Sequence, residues 1–499
     1  MRQFPTHHNP LLATDVYKLG HQLQFCPGTD YVYSYLQARS DKTFDSTVFF
    51  GLQYYLKNYL TTPLTEAMGE EFIEYHTKIL GGCPQQTKDR IRALCKLGYW
   101  PLKIKAVPEG STVPVRNVLM TIESTNPEFY WCVGFVESLL LKVWYPTTVA
   151  TCSRKYRKLV DYMFDATCDD TPDMDGLRDF MVHDFGYRGD PTEEGAAISG
   201  SAHLLSFKGS DTIPALPFTE RFYGPATMLS VPASEHSVMC SFGKDDELAA
   251  FRHMLKTYPT GIVSIVSDTY DVYRVLTEFA QALKPEILAR DGKVVFRPDS
   301  GDPETIICGD PLDGGPYDVT PKFLGAIRLL DKMFGSTVNS KGYKVLNPKV
   351  GLIYGDGMYY ERYERTLQRL KDMGYAACNL VIGVGGILRN HSRDTLGFAN
   401  KATYVKVNGQ PRDIVKSPVT DPKKKSHKGL LSLQYYQGQF ETVDECSELA
   451  ESQTLLRTVF EDGKLLIDQT FEEARSSRVN REWIKTHKEK IHLSMSSAA

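Results

Sequence analysis

From about residue 180 onward, short β-branched and aromatic runs alternate with longer segments of helical periodicity. Five such runs end in an aspartate or in glycines: FMVHD, GIVSIVSD, KVVFRPD, VGLIYGD and NLVIGVGG. Amphipathic segments such as PKFLGAIRLLDKMFG and YYERYERTLQRLKDMG lie between them. Asp268 and Asp299 are 31 residues apart, a spacing typical of a βα unit. The alternation predicts an α/β fold with a parallel sheet.

The polar residues that end these runs are the candidates for a functional site. If the strands close into a barrel, their carboxyl ends meet at one mouth, where barrel enzymes place their chemistry. An open doubly wound sheet is the alternative, and it also binds ligands at the carboxyl ends of its strands. Both architectures predict that the strand-end residues share a site.

The flanking regions have a different pattern. Residues 103–124 alternate apolar and polar positions around two turn signals and predict antiparallel strands. The segment KATYVKVNGQPRDIVKSP predicts a hairpin with an Asn-Gly turn. These regions therefore predict a part of the molecule with α+β character.

Composition excludes several classes of function. The chain has 499 residues and a formal net charge of −3, so its overall charge does not indicate binding to nucleic acid or to an anionic membrane. Its ten cysteines are irregularly spaced and form no C-x-x-C pair, which is typical of a reduced, cytosolic protein. The N-terminus has no apolar signal region, and the most apolar stretch, CVGFVESLLLKVWY, is too short to span a bilayer.

The strand ends suit phosphate and sugar ligands. The glycines of VIGVGG expose backbone N–H groups that can hold an anion, and Arg393 follows as a cation, although a plain tight turn is the alternative. Asp299 and Asp356 stand beside glycines and can bind ribose hydroxyls, or Mg²⁺ together with a diphosphate. Arg297 can hold a phosphate as a planar fork. Helix capping by Asp299 or Ser300 is the competing interpretation.

Three further stretches carry candidate chemistry. HDFGYRG places aromatic rings, a glycine and Arg188 in one turn, which predicts either a packed loop or half of a pocket for a flat ring. SVPASEHS places Glu235 beside His236, a possible base, phosphate contact or phosphoryl acceptor, or a structural histidine. FKGSDT holds Asp211, either a surface carboxylate or an acceptor for a ligand amide.

A dozen segments occur in the order found in one known family, among them LLATDVYKLGH, YSYLQARS, WYPTTVAT, HDFGYRG, SAHLLSFKGSDT, VPASEHS and RPDSG. From about residue 10 to about residue 465 the chain resembles the nicotinamide phosphoribosyltransferases, which are type II phosphoribosyltransferases. The resemblance implies an irregular (β/α) barrel with a second α+β domain. It implies the following division: residues 1–34 join the barrel and reach a dimer partner, 35–125 begin the α+β domain, 126–390 form the catalytic barrel, and 391–499 complete the α+β domain with a flexible tail.

The resemblance also implies an activity and its partners. The family transfers the phosphoribosyl group of 5-phosphoribosyl 1-diphosphate to nicotinamide in NAD salvage, with Mg²⁺ accompanying the diphosphate. ATP stimulates the reaction through a phosphohistidine, here His236 with Glu235 beside it. The family works as a cytoplasmic homodimer with shared active sites.

Each site residue receives a role by this resemblance. Phe185 would stack on the pyridine ring, Tyr17 of the second subunit would cover its other face, and Asp211 would accept from the carboxamide. Arg297 would also contact the nicotinamide. The catalytic residues would be His236, Glu235, Asp299 and Arg297. The remaining residues would bind diphosphate, ribose and phosphate, and they are Arg188, Arg297, His236, Asp299, Asp356, Asp268, Asp15, Gly355, Gly385, Gly386 and Arg393, with Arg39, Lys401, Lys416 and Lys424 on the partner side. The glycine run is one residue shorter than in the family, which leaves open which glycine of residues 383–386 faces the phosphate.

Two alternatives remain open from the sequence. A nicotinate phosphoribosyltransferase has the same fold and reaction, but Asp211 argues against it because a carboxylate repels the carboxylate of nicotinate. A non-enzymatic extracellular signalling protein is the other alternative. The set of polar strand ends and the lack of a signal region argue for the enzyme.

Overall fold

The structure is a computed structural model, and it describes residues 9–314, 319–420, 425–445 and 454–476. The described residues form two compact units. The first draws on Met1–Thr151, Phe218–Ala226 and His391–Ala499, and the second on Cys152–Pro217 and Thr227–Asn390. Each unit has its own sheet.

The strands are β1 Thr29–Gln37, β2 Ser46–Val48, β3 Leu102–Ala106, β4 Thr112–Pro114, β5 Val118–Ser124, β6 Val182–Asp184, β7 Thr260–Val266, β8 Asp291–Arg297, β9 Ser336–Val338, β10 Lys344–Leu346, β11 Val350–Tyr354, β12 Leu380–Val384, β13 Ala399–Val407, β14 Gln410–Asp413, β15 Ser432–Tyr436, β16 Gln439–Val443, β17 Arg457–Glu461 and β18 Lys464–Leu465.

The α-helices are α1 His21–Gln24, α2 Leu52–Tyr55, α3 Glu66–Leu80, α4 Gln85–Leu97, α5 Cys132–Phe135, α6 Glu137–Leu140, α7 Trp144–Thr167, α8 Pro172–Leu177, α9 Glu193–Leu204, α10 Ala215–Tyr223, α11 His236–Cys240, α12 Glu247–Thr257, α13 Val272–Arg274, α14 Ala280–Ala289, α15 Pro303–Cys308, α16 Pro321–Phe334, α17 Tyr360–Asp372 and α18 Phe471–Arg475. Shorter 3₁₀ segments are Pro10–Leu12, Val16–Gly20, Pro127–Phe129, Leu141–Val143, Arg178–Phe180, Tyr187–Gly189, Ala377–Asn379 and Gly386–Leu388, and π turns are Leu56–Leu60 and Val275–Phe279.

The second unit is built around a five-stranded sheet in which every pairing is parallel. The strand order is β6-β12-β11-β8-β7. Val182, Ile382, Leu352, Val294 and Val263 are at most 1% exposed, one from each strand, so the sheet lies in the core of the unit. Parallel strands need long crossovers, and the helices between the strands supply them. The predicted parallel sheet is confirmed.

This sheet curls, and chain segments between β6 and β7 continue it. Three isolated parallel bridges follow the path, pairing Asp184 with Ser210, Gly209 with Leu229, and Ala233 with Ser264. Backbone hydrogen bonds support the bridges, from Asp184 N to Gly209 O at 3.1 Å and from Ser234 N to Ser264 O at 3.0 Å. The two edges of the sheet are thus connected through irregular chain, which gives the expected irregular barrel.

The first unit contains a seven-stranded antiparallel sheet of order β14-β13-β1-β5-β3-β17-β18. Strands β3 and β5 pair antiparallel within residues 103–124, as predicted. Strands β13 and β14 form the predicted hairpin, with Asn408 at φ 53° and Gly409 at φ 73°, the left-handed conformation that an Asn-Gly turn favours. N-terminal and C-terminal segments together build this α+β unit.

The predicted domain boundaries stay a prediction beside the division into compact units. Both place a boundary between residues 390 and 391. The first unit contains the described part of residues 1–34, residues 126–151 and Phe218–Ala226, which the sequence analysis had joined to the barrel.

The structure adds two observations on composition. Across the described ranges, no helix combines the length and the apolar character needed to cross a bilayer. The nine cysteines other than Cys446 are all in the thiol form, without a disulfide. Cys446 and the tail beyond residue 476 lie outside the described residues.

Candidate functional site

A cavity of about 1190 Å³ opens at the carboxyl end of the parallel sheet. It collects residues from four strand ends and from the irregular chain that closes the barrel. The sequence-predicted residues that line it are Phe185, Arg188, Asp211, Glu235, Arg297, Asp299, Gly355, Asp356, Gly385 and Gly386. All of them belong to the second unit, so this unit assembles one continuous polar site.

Phe185 is held in place by a backbone hydrogen bond and by close contact with two glycines. Its N–H donates to the carbonyl of Val384 at 3.0 Å, directly after the pairing of β6 with β12. A Cβ on Gly383 would overlap the Phe185 ring, and a Cβ on Gly355 would lie 3.7 Å from Cε2 of Phe185. The ring therefore rests on two glycines of the neighbouring strands and borders the cavity.

Three glycines of this region line the cavity. Gly383 lies beneath Phe185 and is buried. Gly386 is exposed, with open space where a Cβ would be. Gly385 and Gly386 line the cavity and begin a 3₁₀ turn, Gly386–Leu388.

Arg297 ends strand β8 and points to the closing segment of the barrel. Its Nη2 donates to the carbonyl of Ser234, and its backbone N–H donates to Ser267 Oγ at 3.1 Å. The guanidinium is half-buried at the cavity wall. A guanidinium held on one side keeps its remaining N–H donors in a fixed direction, which suits a phosphate or a carbonyl oxygen.

Asp299 and Asp356 do not cap helices. Helix α15 is capped by Asp302, whose Oδ2 accepts from Thr305 N at 2.9 Å. Helix α17 begins after Tyr359 without a side-chain cap. The capping interpretation of Asp299 and Ser300 is therefore wrong, and both aspartates border the cavity.

The Asp299 carboxyl lies in an unfavourable environment for its charge. Burial raises its pKa, and the nearby carboxylates of Asp268 and Asp356 raise it further, while Arg297 and His236 act in the opposite direction. A bound cation or a hydroxyl donor would relieve this repulsion. Ligand binding is thus electrostatically favoured at this position.

Asp211 lies where the barrel is closed by irregular chain. Its N–H donates to the carbonyl of Asp184 at 2.9 Å, and its carboxylate accepts from Ser230 Oγ. It lines both the mouth and a second, more apolar cavity of about 350 Å³ that continues along the inside of the sheet. Burial lowers the pKa of His183, another residue of this inner cavity, and so favours its neutral form.

His236 is the first residue of α11 and is accessible. Its side chain is 46% exposed, and its Nε2 lies 3.2 Å from Oδ1 of Asp268. Asp268 is buried and also accepts from Asp299 N at 2.9 Å and Ser300 Oγ at 2.5 Å. Asp268 therefore orients both the histidine and the loop that carries Asp299, while the Glu235 carboxylate accepts from Ser237 Oγ.

The other predicted residues lie in the first unit. Tyr17 is 62% exposed on the 3₁₀ turn Val16–Gly20, and its ring makes an edge contact with His21. The Asp15 carboxylate accepts from Ser138 Oγ. Arg393 donates to the carbonyl of Phe398 at 2.9 Å.

Arg39, Lys401 and Lys416 share one cationic neighbourhood within the first unit. Burial lowers the pKa of Lys401, Glu137 opposes this effect, and Arg39, Lys416 and Lys18 lower the pKa further. Mutual repulsion of this kind is reduced when an anion binds. Lys424 lies outside the described residues.

Sequence reasoning missed an arginine that the structure places at the cavity. Arg389 comes three residues after Gly386 and lines the mouth, and it forms ion pairs with Asp184 and Asp190. Two features of the sequence could have indicated it. Arg389 follows the glycines closely, and DFGYRGD has an aspartate at each end.

Two family models match the chain. Residues 180–464 match the nicotinate phosphoribosyltransferase (NAPRTase) family, and residues 9–79 match the N-terminal domain of nicotinamide phosphoribosyltransferase. The first match contains the whole cavity described above. The second contains Asp15, Tyr17 and Arg39.

Curated relatives match over nearly the full length. The chain is 41% identical over 495 residues to a nicotinamide phosphoribosyltransferase of Acinetobacter baylyi, covering 94% of this chain and 96% of the relative. It is 40% identical over 489 residues to a nicotinamide phosphoribosyltransferase of Xanthomonas campestris, covering 94% and 97%.

Solved structures agree with the architecture. A nicotinate-nucleotide pyrophosphorylase from Pyrococcus furiosus has a TM-score of 0.56 at 14% identity and covers 99% of both chains. Human nicotinic acid phosphoribosyltransferase has a TM-score of 0.56 at 17% identity, covering 94% of this chain and 93% of its own. At these identities the likeness concerns the fold, and the predicted fold class is confirmed.

Proposed function

This chain belongs to the nicotinamide phosphoribosyltransferase family, and from that premise we propose that the mouth of its barrel joins nicotinamide to the phosphoribosyl group of 5-phosphoribosyl 1-diphosphate. The products are nicotinamide mononucleotide and diphosphate, within NAD salvage. The observation that carries the proposal is that Phe185, Asp211, Arg297 and Asp299 line one cavity.

Phe185 and Asp211 support nicotinamide as the acceptor. A flat ring can stack on Phe185, which two glycines hold at the cavity wall. The carboxylate of Asp211 can accept a hydrogen bond from the carboxamide NH₂. Nicotinate would place its own carboxylate there, and two like charges beside each other repel.

The transfer itself needs little acid–base chemistry. The bond between C1′ of the ribose and the diphosphate oxygen breaks with its electron pair on the diphosphate. The pyridine nitrogen supplies the electron pair for the new bond to C1′ and becomes cationic. Asp299 and Asp356 can hold the ribose hydroxyls, Gly385 and Gly386 the 5′-phosphate, and Arg188 and Arg297 the diphosphate. Catalysis then rests on orientation and on stabilising the leaving group's charge.

Mg²⁺ fits the residues that are present. Burial and the neighbouring carboxylates raise the pKa of Asp299, and a divalent cation would relieve the repulsion between the carboxylates. Mg²⁺ commonly uses one or two carboxylates together with substrate phosphates and water. Asp299 and Asp356 would hold it beside the diphosphate, and it would supply charge neutralisation of the leaving group.

ATP coupling is proposed to act through His236. In this step the ring nitrogen takes the γ-phosphoryl group, the bond to ADP breaks, and water later hydrolyses the phosphohistidine to inorganic phosphate. Support comes from the exposure of the ring, from its hydrogen bond to Asp268, and from Asp268 holding the Asp299 loop. Phosphorylation of His236 could therefore affect the position of Asp299 through their shared contact with Asp268.

A homodimer with shared sites is part of the proposal. Tyr17 is 62% exposed, as expected of a residue that covers the ring in a partner's site. Arg39, Lys401, Lys416 and Lys424 are proposed to join the site from the partner side, Asp15 to complete its polar shell, and Arg393 to contact the 5′-phosphate. The free thiols fit a cytoplasmic protein.

A product assay tests the central claim. The protein is incubated with 5-phosphoribosyl 1-diphosphate, Mg²⁺ and either nicotinamide or nicotinate, with and without ATP. The mononucleotide formed from each acceptor is then quantified. We expect product from nicotinamide and little from nicotinate, and Asp211→Asn should narrow that preference by about 100-fold. Product from nicotinate alone would support the nicotinate-specific alternative.

The phosphohistidine is tested by His236→Ala, with His253→Gln, an exposed histidine of the same unit, as control. We expect His236→Ala to lose the ATP stimulation and to keep basal transfer, and the control to keep both. Stimulation retained in His236→Ala would remove this part of the proposal.

Shared sites are tested by mixing two inactive variants, Tyr17→Ala and Phe185→Ala. In a mixed dimer one site contains both substitutions and the other contains neither. Random exchange of subunits should therefore restore about one quarter of the wild-type activity. No recovery of activity on mixing would contradict shared sites.

A signalling role is tested separately. Biological activity retained by Asp211→Ala and Arg297→Ala would favour that role.

A further inference from the structure

A single buried arginine connects two loops of the site. The aromatic loop (residues 184–190) follows β6 and carries Phe185, and the glycine loop (residues 385–390) follows β12. Arg389 of the glycine loop places Nη2 2.6 Å from Oδ2 of Asp184 and Nε 2.7 Å from Oδ2 of Asp190. One guanidinium thus holds both ends of the aromatic loop.

These three side chains are withdrawn from solvent. The Arg389 side chain is 1% exposed, and those of Asp184 and Asp190 are fully buried. Burial alone would raise the pKa of Asp184, but the charge of Arg389, with contributions from His203 and a hydrogen bond from Gly186 N, brings it below its usual value. The cluster is therefore ionic. The planar guanidinium of Arg389 lies between the two carboxylates and fixes their geometry.

Two glycines allow the loops to approach each other. A Cβ on Gly186 would lie 2.9 Å from Nε and 3.0 Å from Cζ of Arg389. A Cβ on Gly189 would lie 3.1 Å from Cα of Gly386. The aromatic loop consequently rests on both the Arg389 guanidinium and the backbone of the glycine loop.

We propose that Arg389 is a positioning residue that couples the two substrate subsites, an inference that rests on the function proposed above. Phe185 and Arg188 lie between the two aspartates, and Gly385 and Gly386 begin the loop that Arg389 closes. Ordering of the glycine loop by the 5′-phosphate is transmitted through the ion pairs to the ring platform. Each substrate then strengthens the binding of the other by the same factor.

A purely structural ion pair predicts something different. Loss of such a pair lowers the stability of the protein and the affinity for both ligands. The ratio of the nicotinamide affinity with the phosphate ligand to that without it stays unchanged. Coupling through Arg389 makes that ratio depend on the arginine. The ratio, rather than either affinity, is the quantity to measure.

The experiment uses ribose 5-phosphate as an unreactive probe of the glycine loop. The Kd of nicotinamide is measured by calorimetry with and without saturating ribose 5-phosphate. In the wild type we expect ribose 5-phosphate to lower the Kd of nicotinamide by at least about 5-fold, which is within the usual range of coupling between sites. In Arg389→Lys, which keeps the charge but loses the fork, the ratio should fall to about 1.

A second variant and a control complete the design. Asp190→Asn keeps the contact of Arg389 with Asp184 and removes the ionic contact with Asp190, so it should lower the ratio even if Arg389→Lys does not fold. Arg274→Lys, at an exposed ion pair with Glu278, should keep the wild-type ratio.

An unchanged ratio in Arg389→Lys or Asp190→Asn, or a wild-type ratio of 1, would overturn the proposal. A wild-type enzyme that forms nicotinamide mononucleotide but shows no coupling would refute only this inference. An enzyme that forms no product would refute the proposed function itself.

Discussion

The two compact units of this protein place their charged groups in different ways. In the parallel sheet of the second unit, strands end in residues that face a cavity, such as Arg297 and Asp356. In the first unit, the buried Glu109 carboxylate accepts from Gly51 N at 2.8 Å, Gln53 N at 2.6 Å and Tyr223 Oη at 2.8 Å, and it is only 6% exposed.

The comparison distinguishes polar groups that a ligand can reach from polar groups that stabilise the folded protein. Glu109 is surrounded by donors of its own unit, and substitutions there should affect stability. The carboxylate of Asp299 borders a cavity and is repelled by its neighbours. Substitutions there should affect activity, and some should even stabilise the protein. The following predictions test this separation.

The largest effect is expected for Gly383→Ala. The new methyl group would overlap the Phe185 ring and displace it from its seat on β12. We expect kcat/KM for nicotinamide to fall about 100-fold, because small displacements of an orienting group have such effects. Steady-state kinetics checks this, with Gly176→Ala in α8, where a Cβ meets open space, as the control. Near-wild-type kinetics would show that the ring position is not important.

An intermediate effect, on stability alone, is expected for Glu109→Ala. Two backbone N–H groups and one phenol would lose their acceptor in a buried site. The free energy of unfolding should fall by about 3 kcal/mol, the cost of unsatisfied buried donors. Denaturant unfolding measures it, and kcat/KM per folded molecule should stay at the wild-type value. The exposed Glu74→Ala should change neither quantity, and a selective loss of activity in Glu109→Ala would break the comparison.

The smallest effect is a gain in stability for Asp299→Asn. Because the folded protein raises the pKa of Asp299, its ionised form is disfavoured in the folded state relative to the unfolded state. At pH 7.5 the variant should melt slightly higher, on the order of 1 °C, while losing transfer activity.

The difference in melting temperature should vanish as the pH falls below about 4, where the carboxyl is protonated in both states. Calorimetric scans across this pH range provide the measurement. A melting temperature of Asp299→Asn below that of the wild type at pH 7.5 would contradict the raised pKa of Asp299.

Local patterns predicted the strands and several of their polar ends. A β-branched run followed by aspartate or glycine identifies both a parallel strand and the position of its carboxyl end, so Asp299, Asp356 and Gly385 could be placed near each other. The Asn-Gly turn likewise fixed the β13–β14 hairpin. These features depend on residues adjacent in the chain.

Features that depend on distant residues could not be predicted. The Arg389 ion pairs join positions about 200 residues apart, and no local pattern indicates which aspartate an arginine will meet. The choice of Asp302 over Asp299 as the cap of α15 depends on where the loop from β8 turns. The closing bridges at Ser210, Leu229 and Ala233 have no strand-like run to reveal them.

The pairing of β6 with β12 has a consequence for the order of folding. Asp184 lies opposite Val384, 200 positions later in the chain, so β6 can find its neighbour only after most of the second unit has been made. Contacts this distant in sequence form late, because closing a long loop is entropically costly. The platform under Phe185 is therefore completed late in synthesis. A nascent chain that ends before Gly383 has every predicted acidic residue of the site but only Gly355 of the two glycines that support the ring.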